Sequence, residues 1–215
     1  MLLAVAMLLL GLNGQAMAYF SNGDLIQVVY SGSTEIATDE GSLAALLAGG
    51  TTLNFSSPLA NANVSYFDYQ TGGSYGSAWI SGNNGGQTAK TGSLNAFVAG
   101  YNNATGLYIA QSSTSQASVL TSNPDSYFAQ MDANGGGVGQ MAGLIPAGGS
   151  EATLVANGPV QQTLYAYTPT STRQTLAGTA VATINTGTAT PVPPSILLMG
   201  SGLLGLAGIG RKRTV

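Results

Sequence analysis

Neither cysteine nor histidine occurs in the 215 residues of this chain. Without histidine there is no Ser-His-Asp triad and no imidazole ligand for zinc or iron. Without cysteine there is no thiol nucleophile, no thiolate-held iron–sulfur cluster and no disulfide, so the fold rests on its core alone. Charge is also scarce: Lys, Arg, Asp and Glu make up 6% of the chain, where about a quarter is usual. Cations are the scarcest. Between Tyr19 and Thr190 only Lys90 and Arg173 oppose all eight carboxylates, leaving six net negative charges. Such a surface repels phosphate backbones and makes nucleic acid an unsuitable partner. Solubility falls to Ser, Thr, Asn, Gln and Gly, a profile found in secreted, surface-associated β-proteins.

The two ends are different. Leu2 to Leu12 is apolar, Asn13-Gly14-Gln15 is polar, and Ala16-Met17-Ala18 follows. Small residues at Ala16 and Ala18 suit a signal-peptidase cut before Tyr19, and the apolar run is too short to span a bilayer. Residues 1–18 therefore read as a signal peptide. At the other end Pro191-Val192-Pro193-Pro194 breaks the chain, Ser195 to Gly210 is apolar, and Arg211, Lys212 and Arg213 close it. Sixteen residues in helical form span roughly 24 Å, slightly short of a hydrocarbon core of about 30 Å. Bilayer thinning and snorkelling of the flanking cations cover that mismatch. The basic cluster orients the span with its end in the cytoplasm and the body outside. The prolines prevent a helix running on into the body.

Pro191-Val192-Pro193, then Gly200-Ser-Gly-Leu-Leu-Gly-Leu-Ala-Gly208, then Arg211-Lys-Arg213 resembles the PEP-CTERM sorting domain of exopolysaccharide-producing Gram-negative bacteria. Val192 stands where that family's name-giving glutamate would sit. The opening from Tyr19-Phe-Ser-Asn-Gly-Asp-Leu25 to Ala37-Thr-Asp39 is weakly similar to other bodies that carry such tails. The resemblance implies an integral membrane exosortase as the enzyme that recognises and cleaves the tail. It further implies an inner-membrane-tethered intermediate and a destination at the cell surface or in the extracellular, exopolysaccharide-rich biofilm matrix. It covers about 25 residues and implies no activity for the body.

The body, 19–177, reads as short strands: Asp24–Tyr30, Thr34–Thr38, Thr51–Phe55, Val64–Tyr69, Ser77–Ser81, Gly106–Gln111, Ala117–Thr121, Ala152–Ala156, Val160–Tyr167 and Leu176–Ile184. Gly, Asn and Ser clusters punctuate them at 71–76, 82–86, 102–106 and 134–139. Short helices are expected at Ser42–Leu47, Ser93–Tyr101 and Pro124–Met131, the last capped by Asn123. This pattern predicts a mainly β fold, a β-sandwich of jelly-roll or immunoglobulin-like type with one to three short helices. Residues 178–190 turn Thr/Ala-rich and uncharged, as expected for a last strand running into a flexible stalk that leads to the sorting tail at 191–215.

The remaining chemistry is thin. A carboxylate pair as in glycosidases would have to come from Asp24, Glu35, Asp39, Glu40, Asp68, Asp125, Asp132 and Glu151, none of which lies in a motif. Gly200-x-Gly202-x-x-Gly205 matches the dinucleotide fingerprint only in letters, since it lies within the apolar span. Gly135-Gly-Gly-Val-Gly139 follows an expected helix rather than a strand, and Asp132-Ala-Asn134 lacks the fifth and twelfth ligands of a calcium loop. No catalytic residue, metal or cofactor is expected, and the body reads as a structural or adhesive, non-enzymatic module. The alternative is a carbohydrate-binding module that stacks Tyr66, Tyr69, Tyr75 and Trp79 on exopolysaccharide. That reading needs the rings exposed on one sheet face; packing needs them buried. Alternation places Tyr66 and Asp68 on one face, Phe67 and Tyr69 on the other.

Overall fold

The computed structural model describes residues 19–72, 76–83, 94–131, 141, 152–153, 159–168 and 178–188. The expected leader, the expected sorting triplet Pro191, Val192 and Pro193, the apolar run and Arg211–Arg213 lie outside the described residues. Among the described residues no helix is long and apolar enough to cross a membrane.

The fold is mainly β. In chain order it runs β1 (Asp24–Ser31), β2 (Thr34–Ser42), α1 (Leu43–Ala48), β3 (Thr52–Ser57), β4 (Asn63–Gln70), β5 (Ser77–Asn83), α2 (Leu94–Gln111), β6 (Gln116–Leu120), α3 (Tyr127–Met131), β7 (Ala152–Thr153), β8 (Val160–Tyr167) and β9 (Thr179–Thr188). All nine strands belong to one sheet, ordered β3-β9-β8-β5-β4-β1-β2-β6, with β7 pairing β4 off that path. Every pairing is antiparallel except β3 with β9. The strands thus form one continuous sheet where the sequence suggested two separately paired ones.

That sheet curls. β3 and β1 stand five strand spacings apart, roughly 24 Å if the sheet were flat. Yet Gln27 Nε2 of β1 donates to the Ser56 carbonyl of β3 at 3.3 Å. Tyr66 of β4 likewise meets Thr186 of β9, hydroxyl to hydroxyl, at 2.6 Å. The β3–β9 end therefore folds over the second face of β1 and β4. This explains why Leu25–Tyr30 and Val64–Tyr69 are buried without interruption: both faces of these central strands are covered.

Two apolar clusters result. On one face Ile26, Val28, Tyr30, Phe67 and Tyr69 pack under α2 and α3, against Phe97, Tyr101, Tyr108 and Tyr127. On the other, Leu25, Val29, Val64 and Tyr66 pack against Leu43 of α1, Leu53 of β3 and Ile184 of β9. Alternation assigned the β4 residues to these faces as observed. The β1–β2 hairpin closes through Gly32-Ser33, with Ser31 opposite Thr34. Gly32 takes φ +59°, the left-handed backbone that the first position of such a two-residue turn requires.

Three expectations are corrected. The strand expected at Leu176–Ile184 is β9, Thr179–Thr188, and it takes up most of the span expected as stalk at 178–190, as an inner strand hydrogen-bonded to β3 on one side and β8 on the other. Its small residues still alternate, with Ala182, Ile184 and Thr186 buried. Gly178 before it has no side chain because the Tyr167 ring lies there, 2.6 Å from where a Cβ would stand. The strand expected at Gly106–Gln111 and the turn expected at 102–106 are the second half of α2. Buried Leu94, Phe97, Tyr101, Ala104 and Tyr108 carry the 3–4 spacing of one helix face straight through them. Finally, α3 begins at Tyr127 rather than Pro124. Ser126 Oγ accepts from Ala129 N at 3.1 Å as its cap, while Asn123 Oδ1 closes a turn on Asp125 N at 2.9 Å.

Candidate functional site

Of the four rings expected to meet sugar, Tyr66 is fully buried and Tyr69 is buried. Trp79 is half-buried against the second apolar cluster, and Tyr75 lies outside the described residues. Tyr66 stacks on Phe55 across the curl, with centroids 5.3 Å apart. Tyr69 packs against Tyr101 of α2 at 5.8 Å. These two rings hold the layers together and offer no face to a ligand.

The polar chemistry instead gathers in two places. The first is Glu35 of β2, fully buried at a position where alternation turns it inward with Ala37. Its Oε1 accepts from the Tyr108 hydroxyl at 2.8 Å and Tyr127 N at 3.0 Å, and its Oε2 accepts from Phe128 N at 2.8 Å. The carboxylate thus caps α3 and ties it to α2. Burial pushes its pKa up, opposed by these donors. Tyr127 extends the network: its hydroxyl meets Ser65 Oγ of β4 at 2.6 Å.

The second lies where the body begins. A β-bulge in β2 sets Glu40 and Gly41 between the pairs Ile26–Asp39 and Asp24–Ser42, with Gly41 at φ +88°. Asp24 of β1, Asp39 and Glu40 of β2 and Asp68 of β4 converge there, because β1 lies between β2 and β4 in the sheet. Oxygens of Asp24, Asp39 and Asp68 are met by backbone amides of the incoming chain, and Gln70 Nε2 donates to Asp68 Oδ2 at 3.3 Å. Phe20 N donates to Asp39 Oδ2 at 2.5 Å, Ser21 N to Asp24 Oδ2 at 3.2 Å and Gly23 N to Asp68 Oδ1 at 3.0 Å. Gly41 N adds a bond to Asp39 Oδ1 at 2.8 Å. Tyr101 donates its hydroxyl to the Ser21 carbonyl at 3.2 Å. Tyr19, expected as the first residue after the leader, is half-buried against the core, and Phe20 packs on Tyr108 with centroids 5.4 Å apart.

No Lys, Arg or His stands among the described residues. Burial, reinforced by Asp39, raises the Glu40 carboxyl to about 7; burial, reinforced by Asp24, raises Asp68 to about 7. Burial and then Asp39 raise Asp24 as well. Among the described residues no group of three acidic side chains is placed to hold a metal ion.

These shifts fix a pH dependence. A carboxyl raised in the folded state keeps its proton after the unfolded chain has released it. Between the ordinary carboxylate range near 4 and the folded value near 7, the folded protein therefore binds more protons and loses stability as pH rises. For the chain carrying residues upstream of Tyr19, the urea midpoint at pH 5 should exceed that at pH 8. A midpoint that rises with pH across this window would contradict the assignment.

The sequence singled out Asp24, Glu35, Asp39, Glu40 and Asp68 only as unplaced acids. The legible signal for Glu35 was an acid on the inward side of an alternating strand. Nothing local marked the convergence of the other four, which strand pairing alone creates.

No protein-family model matches the chain, and neither a curated protein nor a solved structure shows significant similarity to it.

Proposed function

We propose that the chain is an exported structural or adhesive component of a Gram-negative cell surface or exopolysaccharide matrix, tethered to the inner membrane until an exosortase-like enzyme processes its tail. The observation that carries this reading is the order of the last residues: proline break, apolar run, basic end, from Pro191 to Arg213. Signal peptidase is the second processing partner, acting before Tyr19. The body then serves as a folded module without catalysis. Two of its features support this: Tyr66 and Tyr69 are spent on packing, and both oxygens of the buried Glu35 are engaged within the fold. A sugar-binding role would have to do without those two rings.

Intact-mass spectrometry of the protein recovered from its native cell surface tests the proposal. The expected product starts at Tyr19 and ends near Pro191–Pro194, with any added mass reporting a glycan or a new attachment. A mature chain that retains Arg211–Arg213 would make the tail a permanent anchor and overturn the sorting reading.

A further inference from the structure

We propose that removal of the leader completes the fold electrostatically: the α-ammonium freed on Tyr19 seats against Asp39 and supplies the positive charge that the surrounding acids lack among the described residues. The inference rests on the reading that the chain is cut before Tyr19, and everything else in it is geometry.

Phe20 N lies 2.5 Å from Asp39 Oδ2. Three covalent bonds join it to the nitrogen of Tyr19, which places that nitrogen within about 4 Å of Phe20 N and roughly 6 Å of the carboxylate oxygen. An opposite charge at that range acts strongly on a carboxylate. The nitrogen is also held in place. The Tyr19 side chain packs on the core, Phe20 is 2% exposed with φ +60°, and Tyr101 grips the Ser21 carbonyl.

The groups around this point come from each packed element: Asp24 from β1, Asp39 with Glu40 beside it from β2, Asp68 from β4 and the Tyr101 phenol from α2, whereas the Tyr108 hydroxyl is turned to Glu35. All are acids. While Tyr19 is joined to the leader, its nitrogen is a neutral amide, and the carboxylates meet backbone N–H dipoles and the Gln70 side-chain amide but no cation among the described residues. Cleavage places a full charge beside them without moving an element of the fold. The precursor and the mature chain are then the same structure with different stability, the mature one being the tighter.

The sign follows from linkage. An amine paired with carboxylates has its folded pKa raised above the usual α-amino value of about 8. Its stabilisation is complete below that value and is lost as pH rises through the elevated one. It also offsets the repulsion that adds to burial in raising Glu40 and Asp68, so the acid-favoured stability profile of the precursor should flatten in the mature chain.

The test compares two chains ending at Val215 in detergent micelles, one beginning at Tyr19 and one retaining Met17-Ala18 ahead of it. Thermal midpoints are measured from pH 5 to pH 10, for each chain and for its Asp39→Asn variant. The Tyr19 chain should unfold about 2–4 °C higher at pH 7, and the advantage should vanish at pH 10 and in Asp39→Asn. Should Asp39→Asn not fold, N-acetylation of the Tyr19 chain must lower its midpoint to that of the longer chain. Equal midpoints at pH 7 would overturn the proposal, as would an advantage that survives acetylation, Asp39→Asn or pH 10. Loss of the leader reading is a separate outcome, seen when the native protein begins at another residue.

Discussion

Glu35→Ala should lower the unfolding free energy by about 3–5 kcal/mol, read as a reduced urea midpoint with unchanged slope. The substitution removes a fully buried carboxylate, leaves Phe128 N and the Tyr108 hydroxyl without their acceptor, and leaves Tyr127 N only its longer bond to the Tyr108 hydroxyl at 3.3 Å. Each orphaned buried donor costs roughly 1–3 kcal/mol, and the cavity adds to this. Glu35→Gln keeps the shape and one acceptor oxygen, but its amide nitrogen faces a donor, so a smaller loss of about 1–2 kcal/mol is expected. The two variants separate hydrogen bonding from packing. A Glu35→Ala protein as stable as the parent would mean that the cap does not fasten α3 to the sheet.

Tyr66→Ala should cost about as much, roughly 3–5 kcal/mol, because it empties the centre of the second apolar cluster. Tyr66→Phe isolates the hydroxyl, which accepts from Gln27 Nε2 at 2.8 Å and meets Thr186 Oγ1 at 2.6 Å. Its loss should cost about 1–3 kcal/mol. Thermal and urea unfolding measure both. The same pair bears on the carbohydrate alternative: a stacking residue, once truncated, weakens sugar binding and leaves the fold intact. A Tyr66→Ala protein with an unchanged midpoint would contradict the buried, layer-joining role of this ring.

Such effects depend on pairings that span the chain, and this sets what could be read in advance. β1 was legible because Leu25 to Tyr30 is a compact run of β-branched and aromatic residues between turn signals. α2 was half legible. Asn102, Asn103 and Gly106 read as a turn, yet burial of Tyr101, Ala104 and Tyr108 outweighed their poor propensity. β9 was legible in part: Leu176–Ile184 read as a strand, while the uncharged Thr, Asn and Gly residues that follow look like a linker until a neighbour buries one side. The single curled sheet was not legible at all, since β3 meets β9 across more than a hundred residues. For the same reason Glu35 and the helix it caps, 92 residues further on, showed no link in the sequence.

The placement of β9 carries a mechanical consequence. Its last residue, Thr188, is separated by six residues from Ser195, where the apolar run begins, a reach of about 24 Å at most. Force applied to the chain beyond Thr188 would act directly on an inner strand. It meets β9 along its length, held by β8 on one side and β3 on the other, so rupture requires many hydrogen bonds to shear together rather than unzip one by one.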